Sequence, residues 1–220
     1  MPEFARPSGA QIFQTEQRNN RIVAMKRLGE NIPVVHQSPL LPASCVPATL
    51  DNAFTILGAS RNRQVHEFLL NLTVDSNRQV SYPNGTSGPK GINSDLVYEA
   101  LRLHPLPEVM MIKDTGGYSQ EYYAKQFMHM IDQESIPLLR ISSTVFAQYA
   151  KQKPLQYGKD YMGHFIAVVG YKVIANPAGQ TRMDVEILDP ANGRSWEPIE
   201  KVYQSLQFPS FYQLKRTVPQ

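Results

Sequence analysis

The hydrophobic residues change their period part-way along the chain, and few folds accommodate such a change. In the first half, apolar side chains recur near every 3.6 residues, the spacing of one face of an α-helix. From Cys45 the stripe runs through Ala48, Ala53, Phe54, Ile56 and Leu57. Gly58 ends it as a helix C-terminal glycine, and Pro47 sits where a missing N–H costs nothing. Further helices are predicted at 61–72, at about 93–104 and at 119–134, the last started by Ser119. In the second half, Ile136–Ser142, His164–Ile174, Met183–Leu188 and Phe211–Leu214 are rich in β-branched and aromatic residues and read as strands. A helical first half followed by a strand-rich second half is an α+β arrangement, with the helices packed on an antiparallel sheet.

Composition excludes most alternatives. Residues 1–30 read as a polar lead-in with one apolar patch, Ile22 to Met25, and residues 31–220 as a single domain without internal repeats. With 42% hydrophobic and 19% charged residues, the chain is neither disordered nor a coiled coil. A net charge of +3, without a basic run interleaved with aromatics, does not point to nucleic acid. No apolar stretch approaches the roughly 18 residues of a membrane span. The first residues, MPEFARPSGAQ, lack the apolar core of a signal peptide. Synthesis and folding in the cytoplasm are therefore expected, and export without a cleaved signal, as for a bacterial protein delivered into other cells, is compatible with the same sequence.

A lone cysteine, Cys45, excludes an internal disulfide and a cysteine-based zinc site. The histidines His36, His66, His104, His129 and His164 show no metal-binding spacing, so neither metal nor cofactor is expected. The run Gly85 to Gly91 lacks the Gly-Lys-Ser/Thr ending of a phosphate loop, and Pro89 removes a needed N–H. Lys215 and Arg216 read as a solvated terminus.

Cys45 stands where a loop gives way to a helix, so the positive end of the helix dipole favours its thiolate. His164 opens a strand that is apolar on both faces, which gives an imidazole a rigid mount. The turn signal Asn176-Pro177-Ala178-Gly179 lies at the midpoint between His164 and Asp189. A hairpin closed there sets the two side chains on neighbouring strands, where the carboxylate can accept the imidazole N–H and fix its tautomer. A one-residue slip would send Asp189 to the other face, and Asn192 is the alternative for the orienting role. Gln37, eight residues before Cys45, is a candidate donor to an oxyanion together with the Cys45 N–H. Nucleophile, base and carboxylate in this arrangement make acyl-transfer machinery.

The run Val34-Val35-His36-Gln37, then Cys45-Val46-Pro47-Ala48-Thr49-Leu50 closing at Leu57-Gly58, resembles the nucleophile region of papain-like cysteine peptidases. It is most similar to the bacteriocin-leader (double-glycine) peptidases and their standalone relatives. Ile136-Pro137-Leu138-Leu139, the block Gly163 to Tyr171, and Ile187 to Gly193 match in the expected order, so the resemblance spans about residues 32–200. It implies a papain-like fold with Cys45 as nucleophile, His164 as general base and acid, Asp189 as orienting residue and Gln37 as oxyanion donor, acting on a peptide or protein substrate. Two departures stand out: Val46 occupies the position where the family usually has glycine, and His164 follows Cys45 at an interval of 119. The extra length, about 75–130, is expected to be a substrate-selecting insertion. No transporter or nucleotide-binding region follows, which points to a standalone form. Peptide hydrolysis is the expected reaction. An acyltransferase or deamidase on the same scaffold, as in phytochelatin-synthase-like proteins, and a non-catalytic peptide-binding module are the alternatives. Nothing in the sequence speaks to oligomeric state.

Overall fold

A computed structural model describes residues 20–37, 43–81, 85, 87–114, 119–142 and 163–217, with the backbone alone at 207–210. In chain order the elements are β1 (Arg21–Arg27), α1 (Cys45–Ile56), α2 (Arg63–Asn77), β2 (Gln79–Ser81), β3 (Ser87–Pro89), α3 (Ser94–Leu103), β4 (Val109–Asp114), α4 (Gln120–Asp132), β5 (Ile136–Ser142), β6 (Gly163–Ala175), β7 (Thr181–Asp189), β8 (Gly193–Pro198), α5 (Ile199–Ser205) and β9 (Leu206–Arg216). Seven strands form one antiparallel sheet in the order β4-β9-β5-β6-β7-β8, with β1 added alongside β6, while β2 and β3 form a separate ribbon. The fold is α+β, with the larger helices preceding most of the sheet.

The helices form where the apolar period predicts them. Val46, Leu50, Ala53 and Phe54 bury one side of α1, and Gly58, at φ +74°, turns the chain out of it. Asn62, Asn93 and Ser119 cap the next three helices, each accepting a first-turn N–H. Ser119 does so for α4, whose Tyr123 and Phe127 stack edge-on and meet Phe211 of β9 at ring centroids of 5.5 and 5.7 Å. The strands β5, β6 and β7 are buried almost throughout, so the core lies across the middle of the sheet.

Several elements depart from expectation. The apolar patch at 22–25 is strand β1, with Ile22 and Met25 more than half exposed. Strands β4 and β8 and helix α5 carry no clear local period, and α2 continues five residues beyond 72, with Ser76 buried in the extra turn. Lys215 and Arg216 are not a free terminus: they pair with Met110 and Val109 in the sheet. The stretch 75–130 supplies β2, β3, α3, β4 and most of α4.

The β6–β7 hairpin turns at Asn176–Gln180, but its register is not uniform. Tyr171 faces Val185 and Gly170 faces Glu186, whereas Val168 faces Ile187 and Ala167 faces Leu188. One extra residue in β6, Val169, makes this a β-bulge. The carbonyl of Val169 accepts the Leu28 N–H at 2.7 Å. Beside the bulge the Glu186 carboxylate, 1% exposed, is held by Arg27 at 2.9 and 2.6 Å, with Arg194 at 3.5 Å.

Candidate active site

Cys45 is the first residue of α1 and is half-buried. Its helix carries no side-chain cap, because the hydroxyl of Ser44 accepts instead from Asn77 Nδ2 at 2.8 Å. The first-turn N–H groups thus retain their affinity for negative charge. Asn77 also accepts the Ala43 N–H at 3.2 Å, so the end of α2 fixes the approach to Cys45.

Four residues after Cys45, one turn along α1, the Thr49 hydroxyl donates to the carbonyl of Phe165 at 2.8 Å. Phe165 follows His164, so this bond ties the cysteine's helix to the strand that carries the histidine. His164 is 3% exposed and Asp189 1% exposed, and His164 Nε2 lies 2.7 Å from Asp189 Oδ1. With Nε2 engaged by Asp189, Nδ1 is the ring nitrogen left for Cys45, with which His164 interacts electrostatically. The order is therefore Cys45, His164, Asp189, with burial increasing from half-buried Cys45 to the fully enclosed carboxylate.

Both oxygens of the Asp189 carboxylate are engaged. Oδ1 also accepts the Ala191 N–H at 2.8 Å, and Oδ2 accepts from Asn192 Nδ2 at 2.8 Å. The partner of His164 is thus Asp189, and Asn192 supports the carboxylate rather than the ring. Burial alone would lower the pKa of His164, but its hydrogen bonds and charge interactions with Asp189 and Cys45 outweigh that and raise it to about 10. For Asp189, burial opposes ionisation, and the bonds from His164, Asn192 and Ala191 overcome it and hold the carboxyl below its usual range.

Gln37 is half-buried at the end of an irregular strap, residues 32–37. Its N–H donates to the carbonyl of Pro190 at 2.7 Å, directly after Asp189, which brings the strap to the carboxylate end of the site. His36 lies over the turn at Gly193, whose φ of +85° suits glycine. The strap is anchored farther back by Asn52, a residue the sequence pattern did not single out. Asn52 is completely buried; its Oδ1 accepts the Val35 N–H at 2.7 Å, and its Nδ2 donates to the carbonyls of Val35 and Ala48, both at 2.8 Å. Thr49 and Asn52 had a signal: both stand among the buried residues of α1, where a polar side chain needs partners.

Among the described residues, no group of three His, Cys, Asp or Glu side chains could hold a metal ion. None of their helices is long and apolar enough to cross a membrane.

No family profile matches the sequence, and no curated protein is significantly similar to it. Solved structures are more informative. A Bacillus anthracis protein assigned as a C39-like peptidase superposes with a TM-score of 0.51 at 12% identity, over 88% of this chain and 99% of that one. The fold is that of the papain-like peptidases. The double-glycine-motif protease of an AMS/PCAT transporter, crystallised in complex with the leader peptide, matches 89% of this chain and 98% of its own at 18% identity, with a TM-score of 0.47. Helices leading and an antiparallel sheet following is the α+β order predicted from the two hydrophobic periods.

Proposed function

We propose that this chain is a cysteine peptidase, with Cys45 as nucleophile, His164 as general base and acid, Asp189 as orienting residue and Gln37 as oxyanion donor. The observation that carries the reading is the placement of His164 against Asp189, Nε2 to Oδ1 at 2.7 Å, and beside Cys45 at the start of α1, with which it interacts electrostatically. A raised imidazole pKa keeps His164 protonated near neutrality, and an imidazolium beside Sγ stabilises the thiolate. The thiolate attacks the carbonyl carbon of a peptide or protein substrate, and a C–S bond forms. The oxyanion is met by the Gln37 side-chain amide and the Cys45 N–H at the uncapped start of α1. His164 passes its proton to the leaving amine as the C–N bond breaks, then takes a proton from the water that hydrolyses the thioester. Asp189 keeps the ring in one orientation through both steps. Residues 75–130 are read as the substrate-selecting insertion, of which the β2–β3 ribbon lies outside the seven-stranded sheet.

The test is alkylation of Cys45 by iodoacetamide at pH 6, followed by intact mass. As the chain's single cysteine, Cys45 is the sole thiol reporter. Rapid labelling of the native protein, slowed at least tenfold by His164→Ala and by Asp189→Ala, is expected. Labelling that is absent until denaturation, or indifferent to His164, overturns the reading.

A further inference from the structure

Asn52 is a polar side chain of α1 for which the reaction outlined above has no use, yet it is fully buried and spends two of its three hydrogen bonds on one residue of the strap. Oδ1 and Nδ2 grip the N–H and C=O of Val35 as a neighbouring strand would, while the third bond, to the Ala48 carbonyl, fixes the amide against its own helix. Val35 itself is 38% exposed, so its side chain is not what seats this part of the strap. Two residues on, the Gln37 N–H reaches Pro190. The strap is therefore registered at one point to the helix that begins with Cys45 and at another to the residue after Asp189. Neither of its ends belongs to a regular element, so these long-range bonds take the place of a sheet ladder.

We infer that Asn52 is a positioning residue for the oxyanion donor: its amide sets the strap's register on α1 and thereby places the Gln37 side chain relative to the Cys45 sulfur. The inference rests on the reading of Gln37 given above. An amide is required because only a group that both donates and accepts can engage the N–H and C=O of one residue. A buried aspartate at this position keeps the acceptor and loses both donations.

Two reagents separate this role from a general loss of structure, and neither requires the natural substrate. Iodoacetamide alkylates a thiolate by displacing iodide and builds no oxyanion. p-Nitrophenyl acetate acylates the same sulfur through a tetrahedral oxyanion, forming acetyl-Cys45 and expelling p-nitrophenolate. The ratio of the two rate constants reports oxyanion stabilisation at constant thiolate. Asn52→Asp breaks the grip from the helix side; Val35→Pro removes the N–H from the strap side and leaves α1 untouched, so it decides alone if Asn52→Asp does not fold. The expected result is an ester-to-alkylation ratio lowered about tenfold or more, against the 10²–10³ of losing an oxyanion donor outright, with alkylation within twofold of wild type. In a Gln37→Ala background the same substitutions are expected to change the ratio less than twofold. A ratio unchanged by Val35→Pro, or losses that multiply in the double variants, overturns the role of Asn52. Alkylation indifferent to His164→Ala instead overturns the underlying peptidase reading.

Discussion

His164 and Asp189 meet diagonally across the β6–β7 pair, Nε2 to Oδ1 at 2.7 Å, because β6 carries one extra residue at Val169. Continuing the register of Ala167 with Leu188 by one residue sets Asp189 beside Ile166, on the same face of β6 as His164. Without the bulge, the register of Gly170 with Glu186 would continue to set Asp189 beside Ala167, on the opposite face. The alignment of the imidazole with its carboxylate thus depends on a backbone irregularity, and that irregularity is secured by Leu28 and by the buried Glu186 with Arg27 and Arg194.

Gly170→Ala tests that dependence. A Cβ there would lie 2.9 Å from the Lys26 carbonyl oxygen and 3.1 Å from Glu186 Oε2, and the backbone contact cannot yield cheaply. A loss of about 1–3 kcal/mol is expected, as for other overpacked sites, read as the shift of the urea midpoint. Alkylation of Cys45 at pH 6 is expected to slow as well, since a displaced bulge moves Asp189 away from the ring.

Asp189→Ala and Asn192→Ala are expected to differ in kind. The first leaves a buried imidazolium without its counter-ion, a change that costs about 3–5 kcal/mol when a buried pair is broken. The second removes one hydrogen bond to a carboxylate that keeps two others, a loss of about 1.5–3 kcal/mol at most. Urea denaturation of both variants, with the alkylation rate beside it, checks the order; equal effects would assign the orienting role to both residues.

The same pair predicts a pH dependence of stability. His164 has its pKa raised from 6.5 to about 10 on folding. Between those values the folded chain retains a proton that the unfolded chain has released, so stability falls as pH rises. The contribution is complete below pH 6.5 and gone above about 10. Asp189 has its pKa lowered from 3.8, so its contribution is present above that pH and is lost on acidification through the folded value. The stability difference between wild type and Asp189→Asn is therefore expected to peak between about pH 4 and 6.5 and to shrink toward pH 10. A difference that grows from pH 7 to 10 contradicts the raised histidine.

Thr49→Val, nearly isosteric, removes the hydroxyl that links α1 to the Phe165 carbonyl. Loss of a buried hydrogen bond is worth about 1–3 kcal/mol when a partner is left unsatisfied. Because the bond joins the Cys45 helix to the His164 strand, alkylation is expected to slow several-fold while the fold, monitored by far-ultraviolet circular dichroism, is retained.

Much of this architecture is written in local periodicity. The stripe from Cys45 to Leu57, the capping residues Asn93 and Ser119, and the apolar runs of β5, β6 and β7 each make their element from neighbouring residues alone, and all lie where their patterns place them. Strands β1 and β4 carry exposed Ile22, Met25 and Met110 and exist through pairing with β6 and β9, contacts that no local window contains.

The residues of the candidate site were legible because a lone cysteine at a helix start, a histidine opening a buried strand and an aspartate across a turn each have a chemical reason for their place. Midpoint arithmetic set Asp189 directly opposite His164; the structure sets it two residues along, and an offset of two preserves the face because strand side chains alternate with period two. What decided that offset is not local. The Leu28 N–H, the space at Gly170 and the Arg27–Glu186 pair come from segments far apart in sequence, and only their convergence admits the extra residue in β6. The anchoring of the Gln37 strap by Asn52 is of the same kind: a buried amide announces that it needs partners, and tertiary packing alone names them.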